Sequence, residues 1–127
     1  MSVVTTPSPL AEEALRTDGV FEMANLTEAQ TGVPGVLYVS TQEGGHGPRV
    51  KYFVQPGRTQ PSYSVSIGDA PRLLVSSLDD RVVRRTLPQV AAFVRLNRQA
   101  LLDFWTVGDT WTDPQVSAFK AALQPVD

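Results

Sequence analysis

Short runs of β-branched and aromatic residues mark the middle of the chain. The four runs are residues 35–41, 49–55, 62–67 and 72–77, and the links between them include the turn-rich segments QEGGHGP and GDAP. Runs of this length, bounded by glycine and proline, are typical of β-strands joined as hairpins. The pattern therefore predicts four antiparallel strands in meander order.

Helical periodicity replaces this pattern in the last third of the chain. The motif Ser77-Leu-Asp-Asp80 resembles a capping box that opens a short helix over DDRVVRRT. Asp113-Pro114 is a start signal for a last helix. Between them, residues 87–105 carry apolar side chains at spacings of three, four and seven, which predicts the main helix: Val90, Phe93, Val94, Leu101, Phe104 and Trp105. The predicted class is α+β, a four-stranded antiparallel meander packed on one face by C-terminal helices.

The first third of the chain has a weaker pattern. We expect residues 1–32 to form an N-terminal appendage, partly disordered or helical, with a short helix ended by Gly19 and a helical or irregular stretch over residues 20–32. Residues 33–127 have the size of one domain with a single core. One α+β domain preceded by an appendage is therefore predicted.

Alternation along the strands predicts which side chains share a face. Val50, Tyr52 and Val54 are predicted to point to one side of their strand, and Tyr63, Val65 and Ile67 to one side of the next. The opposite face would then present basic and hydroxyl side chains, which are the candidate anion-binding or partner-binding residues: Arg49, Lys51, Ser62, Ser64 and Arg72, with Ser66 beside them. Such a face can bind anions, but an antiparallel sheet with one solvated face is also ordinary without a ligand.

Charge is distributed unevenly along the chain. Residues 1–48 sum to −5, residues 49–98 to +6 and residues 99–127 to −3, within a net charge of −2. A basic block between acidic ends suggests an anionic partner such as nucleic acid, or a basic face covered by the acidic first third. A solvated surface explains the same charges. The negative net charge of the protein repels nucleic acid at long range.

Residues for catalysis are sparse. The chain has no cysteine and one histidine, His46 in GGHG, so no metal site is expected and no cofactor is implied. The glycines lack the spacing of a phosphate loop and fit an exposed hairpin link better. A small hydrolase would need His46 to converge with a serine, such as Ser40, and with a carboxylate. The N-terminus lacks a secretory pattern and no apolar run reaches about 20 residues, so a cytoplasmic protein without membrane contact is predicted.

Three stretches resemble a known family. RVKYF, QPSYSVSIGD and SLDDRVVRRTLPQVAAFVRLNRQALLDFW are similar to the bacterial domain-of-unknown-function family 4160, over residues 49–105. The most specific part is the helix from Leu96 to Trp105. Members typically carry a Pro-Pro-His-x-His strand, but here Ser62 and Ser64 replace both histidines, so histidine chemistry is not implied. The resemblance implies a regulatory or partner-binding role beside toxin–antitoxin operons.

The missing catalytic groups favour a small non-enzymatic binding or regulatory module that acts through a protein partner. Three alternatives stay open. The chain could form a homodimer, it could bind nucleic acid through the basic sheet face, or it could be a small hydrolase that uses His46.

Overall fold

A five-stranded antiparallel sheet forms the centre of the computed structural model, which describes residues 23–42, 47–57 and 59–127. Each strand pairs with its neighbours in sequence, so the order is that of a meander. The strands are β1 (Met23–Leu26), β2 (Val36–Ser40), β3 (Arg49–Phe53), β4 (Ser62–Ser66) and β5 (Leu73–Ser76). The predicted α+β class and meander order are confirmed, and the strand number is corrected from four to five.

The additional strand, β1, lies in the stretch for which the sequence predicts a helical or irregular segment. Its pairing with β2 places Ala24 opposite Val39 and Leu26 opposite Leu37. Ala24 and Leu26 are both buried in the main core. β1, which lies within the predicted appendage of residues 1–32, therefore contributes to the same core as the strands of the predicted domain.

Two helices and a turn follow the sheet where one main helix is predicted. They are α2 (Asp80–Leu96) and α3 (Arg98–Val107), followed by a 3-10 turn at Gly108–Thr110. The predicted division between a short helix over residues 79–86 and a main helix from residue 87 is wrong, since α2 is continuous through Thr86 and the exposed Pro88. The break lies instead at Asn97, where φ is −112° and ψ is 22°.

Two of the predicted helix caps shift by one or two residues. Asp79 caps α2 by accepting a hydrogen bond from the Arg81 N–H at 2.7 Å. Ser77 follows β5 directly and is bonded to β4, because its N–H donates to the Ser62 carbonyl at 2.8 Å. The last helix is α4 (Asp113–Ala122), and Thr112 rather than Asp113 is its cap. Within the described ranges, no helix is long and apolar enough to cross a membrane.

The core lies between one face of the sheet and the helices. As predicted, this sheet face carries Val50, Tyr52, Val65 and Ile67, and the helices contribute Phe93 and Leu101. Trp105 is also buried, at 5% exposure, but lies outside this cluster. The helices of this core thus lie on one side of the sheet, and the other side and the edges of the described sheet are candidate binding surfaces.

The C-terminal segment closes against the opposite end of the described chain. Leu123 enters the core, and the Val126 N–H donates to the Thr31 carbonyl at 2.8 Å. Thr31 ends the short helix α1 (Glu28–Thr31), and Gly32 follows it with a φ of 80°. A Cβ atom on Gly32 would lie 1.8 Å from the Val126 carbonyl oxygen, so only glycine allows this approach.

Candidate partner-binding surfaces

The structure brings the predicted anion-binding residues onto one sheet face, the face opposite the helices. The register places Arg49 opposite Ser66, and Lys51 opposite Ser64. Arg72 joins them because its carbonyl accepts the Ser66 N–H at 3.0 Å and its N–H donates to Ser66 Oγ at 3.1 Å. We call the surface formed by Arg49, Lys51, Ser62, Ser64, Ser66 and Arg72 the basic face.

The cations of the basic face have no acidic partner among the described residues. Lys51 and Arg72 are exposed, and Arg49 is half-buried with its Nε donating to the Gly47 carbonyl at 3.3 Å. The one ion pair in the described ranges joins Arg98 to Asp69, at 3.3 Å. Anion binding requires positive charge of this kind, which no described carboxylate neutralises.

The expectation of a fully open sheet face is wrong at one end. Phe53 shares this face but is only 3% exposed, and its ring lies 4.6 Å from that of Tyr38. The Gly57 N–H donates to Tyr38 Oη at 3.2 Å, which places the connection between β3 and β4 close to this pair. Ser64 is likewise only 2% exposed. The accessible charges are thus concentrated toward Arg49 and Arg72, at the other end of the face.

Buried hydroxyl groups on the helix side of the sheet have structural roles. The Tyr63 hydroxyl lies 2.7 Å from Thr86 Oγ1, which in turn donates to the Val82 carbonyl. Burial raises the pKa of Tyr63 to about 12, against a smaller lowering by the Thr86 hydrogen bond. Burial also raises the pKa of Tyr52, whose hydroxyl donates to the Pro34 carbonyl. Both tyrosines stay protonated at neutral pH with their hydroxyls bonded, so neither is suited to act as a base.

Metal ligands do not cluster in the described part of the chain. No group of three or more histidine, cysteine, aspartate or glutamate residues could hold an ion there. Of the acidic pairs in the sequence, Asp79 caps α2 and Asp113 occupies the first position of α4. His46 lies outside the described residues, so its predicted position in an exposed link and its convergence with a serine stay predictions.

A shallow groove of about 420 Å³ separates α3 from α4. One wall is Trp111, whose ring packs on Phe104 and Phe119. Asp103, at the rim, accepts a hydrogen bond from Gln99 Nε2 at 2.8 Å. The remaining lining is mostly alanine: Ala100, Ala118 and Ala122, with Gln115. Few polar groups converge on this groove, whereas specific small-molecule sites use several to orient a ligand.

The edge strand β5 exposes an aliphatic cluster that the sequence pattern did not reveal. β5 is the last strand in the sheet order, and all four of its residues are exposed. Leu73, Leu74 and Val75 are 40%, 39% and 61% exposed. A register shift opposite Val65 makes a bulge at the start of this strand. We call Leu73, Leu74 and Val75 the edge cluster.

Comparison with known proteins identifies no relative of the chain. No protein-family model, no curated protein and no solved structure matches the chain. The resemblance of residues 49–105 to family 4160 stays a prediction, and the functional argument depends on the surfaces of the molecule itself.

Proposed function

We propose that this protein is a non-enzymatic binding module whose protein partner adds an extended strand along β5. The observation that carries this proposal is the edge cluster, in which Leu73, Leu74 and Val75 are exposed on a strand that has a neighbour on one side only among the described strands. Strand addition of this kind combines main-chain hydrogen bonds with burial of alternate side chains.

The composition of β5 supports a binding role for this edge. Natural sheets usually protect their edges with charged residues, proline or a bulge, because open backbone groups invite pairing with other chains. The strand Leu-Leu-Val-Ser has no charge and no proline, and its bulge affects only the end at Leu73 and Leu74. Its second half, Val75 and Ser76, therefore presents a regular edge with an exposed aliphatic residue.

A lysine in the edge cluster tests this function. We expect Val75→Lys to weaken binding to a protein partner by roughly 10-fold to 100-fold, since full burial of a valine side chain contributes about 1.5 to 3 kcal/mol. The partner is first captured with the wild-type chain and then titrated against each variant. Hydrogen exchange should show that the purified partner protects the backbone amides of β5.

The matched control is Leu96→Lys, because Leu96 is an aliphatic residue with 49% exposure that belongs to α2 and not to β5. This variant should bind the partner as the wild type does. Equal affinity of the Val75→Lys variant, or unprotected β5 amides in the complex, would refute the proposed function.

Nucleic-acid binding on the basic face is the second candidate. It is supported by Arg49, Lys51 and Arg72, which share a face and form no ion pair with a described carboxylate. The acidic first third of the chain is the competing occupant of the same face, and the protein's net charge of −2 favours that competitor.

The salt dependence of DNA binding tests whether the basic face binds nucleic acid or is covered by the acidic first third of the chain. If the face binds phosphates, the affinity for a short duplex DNA should fall steeply with salt, and Arg49→Ala should reduce the slope by about one. Arg98→Ala is the control, because Arg98 is already paired with Asp69. Undetectable binding at low salt would retire the nucleic-acid candidate.

A cytoplasmic location and a regulatory role beside a toxin–antitoxin pair remain part of the proposal. Support for the regulatory role comes from the resemblance of residues 49–105. A small hydrolase is the remaining alternative, and it depends on His46.

A further inference from the structure

The hydrogen bonds between β4 and β5 determine which backbone groups face the open edge. The Ser77 N–H donates to the Ser62 carbonyl, so these two residues form a hydrogen-bonded pair. Hydrogen-bonded and non-bonded pairs alternate along an antiparallel ladder. The backbone N–H and carbonyl of Val75, opposite Ser64, are therefore directed toward β4. Those of Ser76 point away from β4, toward the open edge.

We infer that a second copy of this chain occupies that edge, with the two β5 strands antiparallel about a twofold axis. This inference rests on the proposed function, because it names one partner for the same strand. Pairing Val75 with its own counterpart offers the outward N–H and carbonyl of Ser76 to the second copy. The two five-stranded sheets then become one continuous sheet.

The side chains around β5 are complementary to themselves in this register. A twofold interface requires one patch that fits its own copy. In this register Val75 lies opposite Val75 of the second copy at the axis, and Leu73 and Leu74 lie opposite its Ser77 and Ser76. Leu73, Leu74 and Val75 lose their exposure together, which supplies the apolar core of a small interface.

Charges at the two ends of the strand are also complementary. Arg72 precedes β5 and the exposed Asp79 follows it, while the strand itself is uncharged. Antiparallel pairing through Val75 places the end of one strand that follows Arg72 beside the end of the other that precedes Asp79. Unlike charges therefore meet at both ends of the interface, whereas a parallel arrangement would bring like charges together.

A single introduced cysteine tests the register directly, because the chain contains no cysteine. In a non-bonded antiparallel pair the two Cα atoms lie about 4.5 Å apart, within the range for a disulfide. We expect Val75→Cys to form a disulfide-linked dimer under mild oxidation at least tenfold faster than two matched controls. The controls are Val54→Cys and Val107→Cys, at valines with 45% and 43% exposure away from the edge.

Sedimentation of the wild-type chain supplies an independent measurement. Its mass should rise with concentration from 13.8 kDa toward twice that value, and Val75→Lys should abolish the rise. Cross-linking of Val75→Cys no faster than of the controls, or a wild-type chain that stays monomeric throughout, would overturn the inference. If Val75→Lys nevertheless loses a heterologous partner, the proposed function stands and only self-pairing fails. If the dimer forms but that partner binds the variant normally, self-pairing stands and the heterologous function fails.

Discussion

Replacing Leu101 with alanine should lower the free energy of unfolding by about 2 to 5 kcal/mol. Leu101 lies in α3 with 0% exposure, inside the cluster that joins the helices to the sheet. Removing its side-chain atoms loses their burial and leaves a cavity that the closely packed neighbours fill only in part. Urea unfolding followed by circular dichroism measures the change.

The control for this substitution is Leu96→Ala. Leu96 is also a helical leucine, but it is 49% exposed, so its truncation should cost much less. A loss below about 0.5 kcal/mol for Leu101→Ala, which is the range of ordinary surface changes, would show that the assigned helix face is wrong.

Replacing Asn97 with aspartate should destabilise the fold by about 2 to 4 kcal/mol at neutral pH. The buried Asn97 amide donates through Nδ2 to the carbonyls of Phe93 and Gln124, at 3.0 and 2.9 Å. Its Oδ1 accepts the Gln124 N–H at 2.8 Å. An aspartate would retain the acceptor, but it would place a buried carboxylate oxygen against two carbonyl oxygens.

The loss of stability in the Asn97→Asp variant should depend on pH. Burial and the two carbonyls disfavour the carboxylate, so the pKa of the new aspartate should be higher in the folded than in the unfolded state. The deficit relative to wild type should therefore shrink as the pH falls through that folded-state pKa. Asn25→Asp, at an exposed position of β1, is the control and should show neither effect. Equal stability of both variants would contradict the bridging role of Asn97.

The strands of the sheet could largely be predicted from sequence, because their residue types and turns act locally. β3 and β4 begin at the predicted residues, Arg49 and Ser62. β1 could not be predicted in this way, since a four-residue segment becomes a strand through its pairing with β2. The position of the helix break was missed for a similar reason, because it depends on contacts of Asn97 with the distant Gln124.

The candidate surfaces show the same division between local and distant effects. Strand alternation correctly predicted that Arg49 and Lys51 share a face with the strand serines. The closure near Tyr38 and Phe53 depends on a connection that folds back, and no local pattern encodes it. The pattern predicted a strand over residues 72–77, but the exposure of Leu73, Leu74 and Val75 follows only from the place of β5 at the end of the described sheet order.

The meander order of the sheet has a consequence for how the chain folds. Every ladder joins strands that are adjacent in sequence, so each hairpin closes a short loop at a small cost in chain entropy. The bond from Val126 to Thr31 instead joins residues from opposite ends of the described chain. Local contacts form faster than distant ones. We therefore expect the sheet to grow hairpin by hairpin, and the C-terminal segment to dock last, after Asn97 and Thr31 have been brought together.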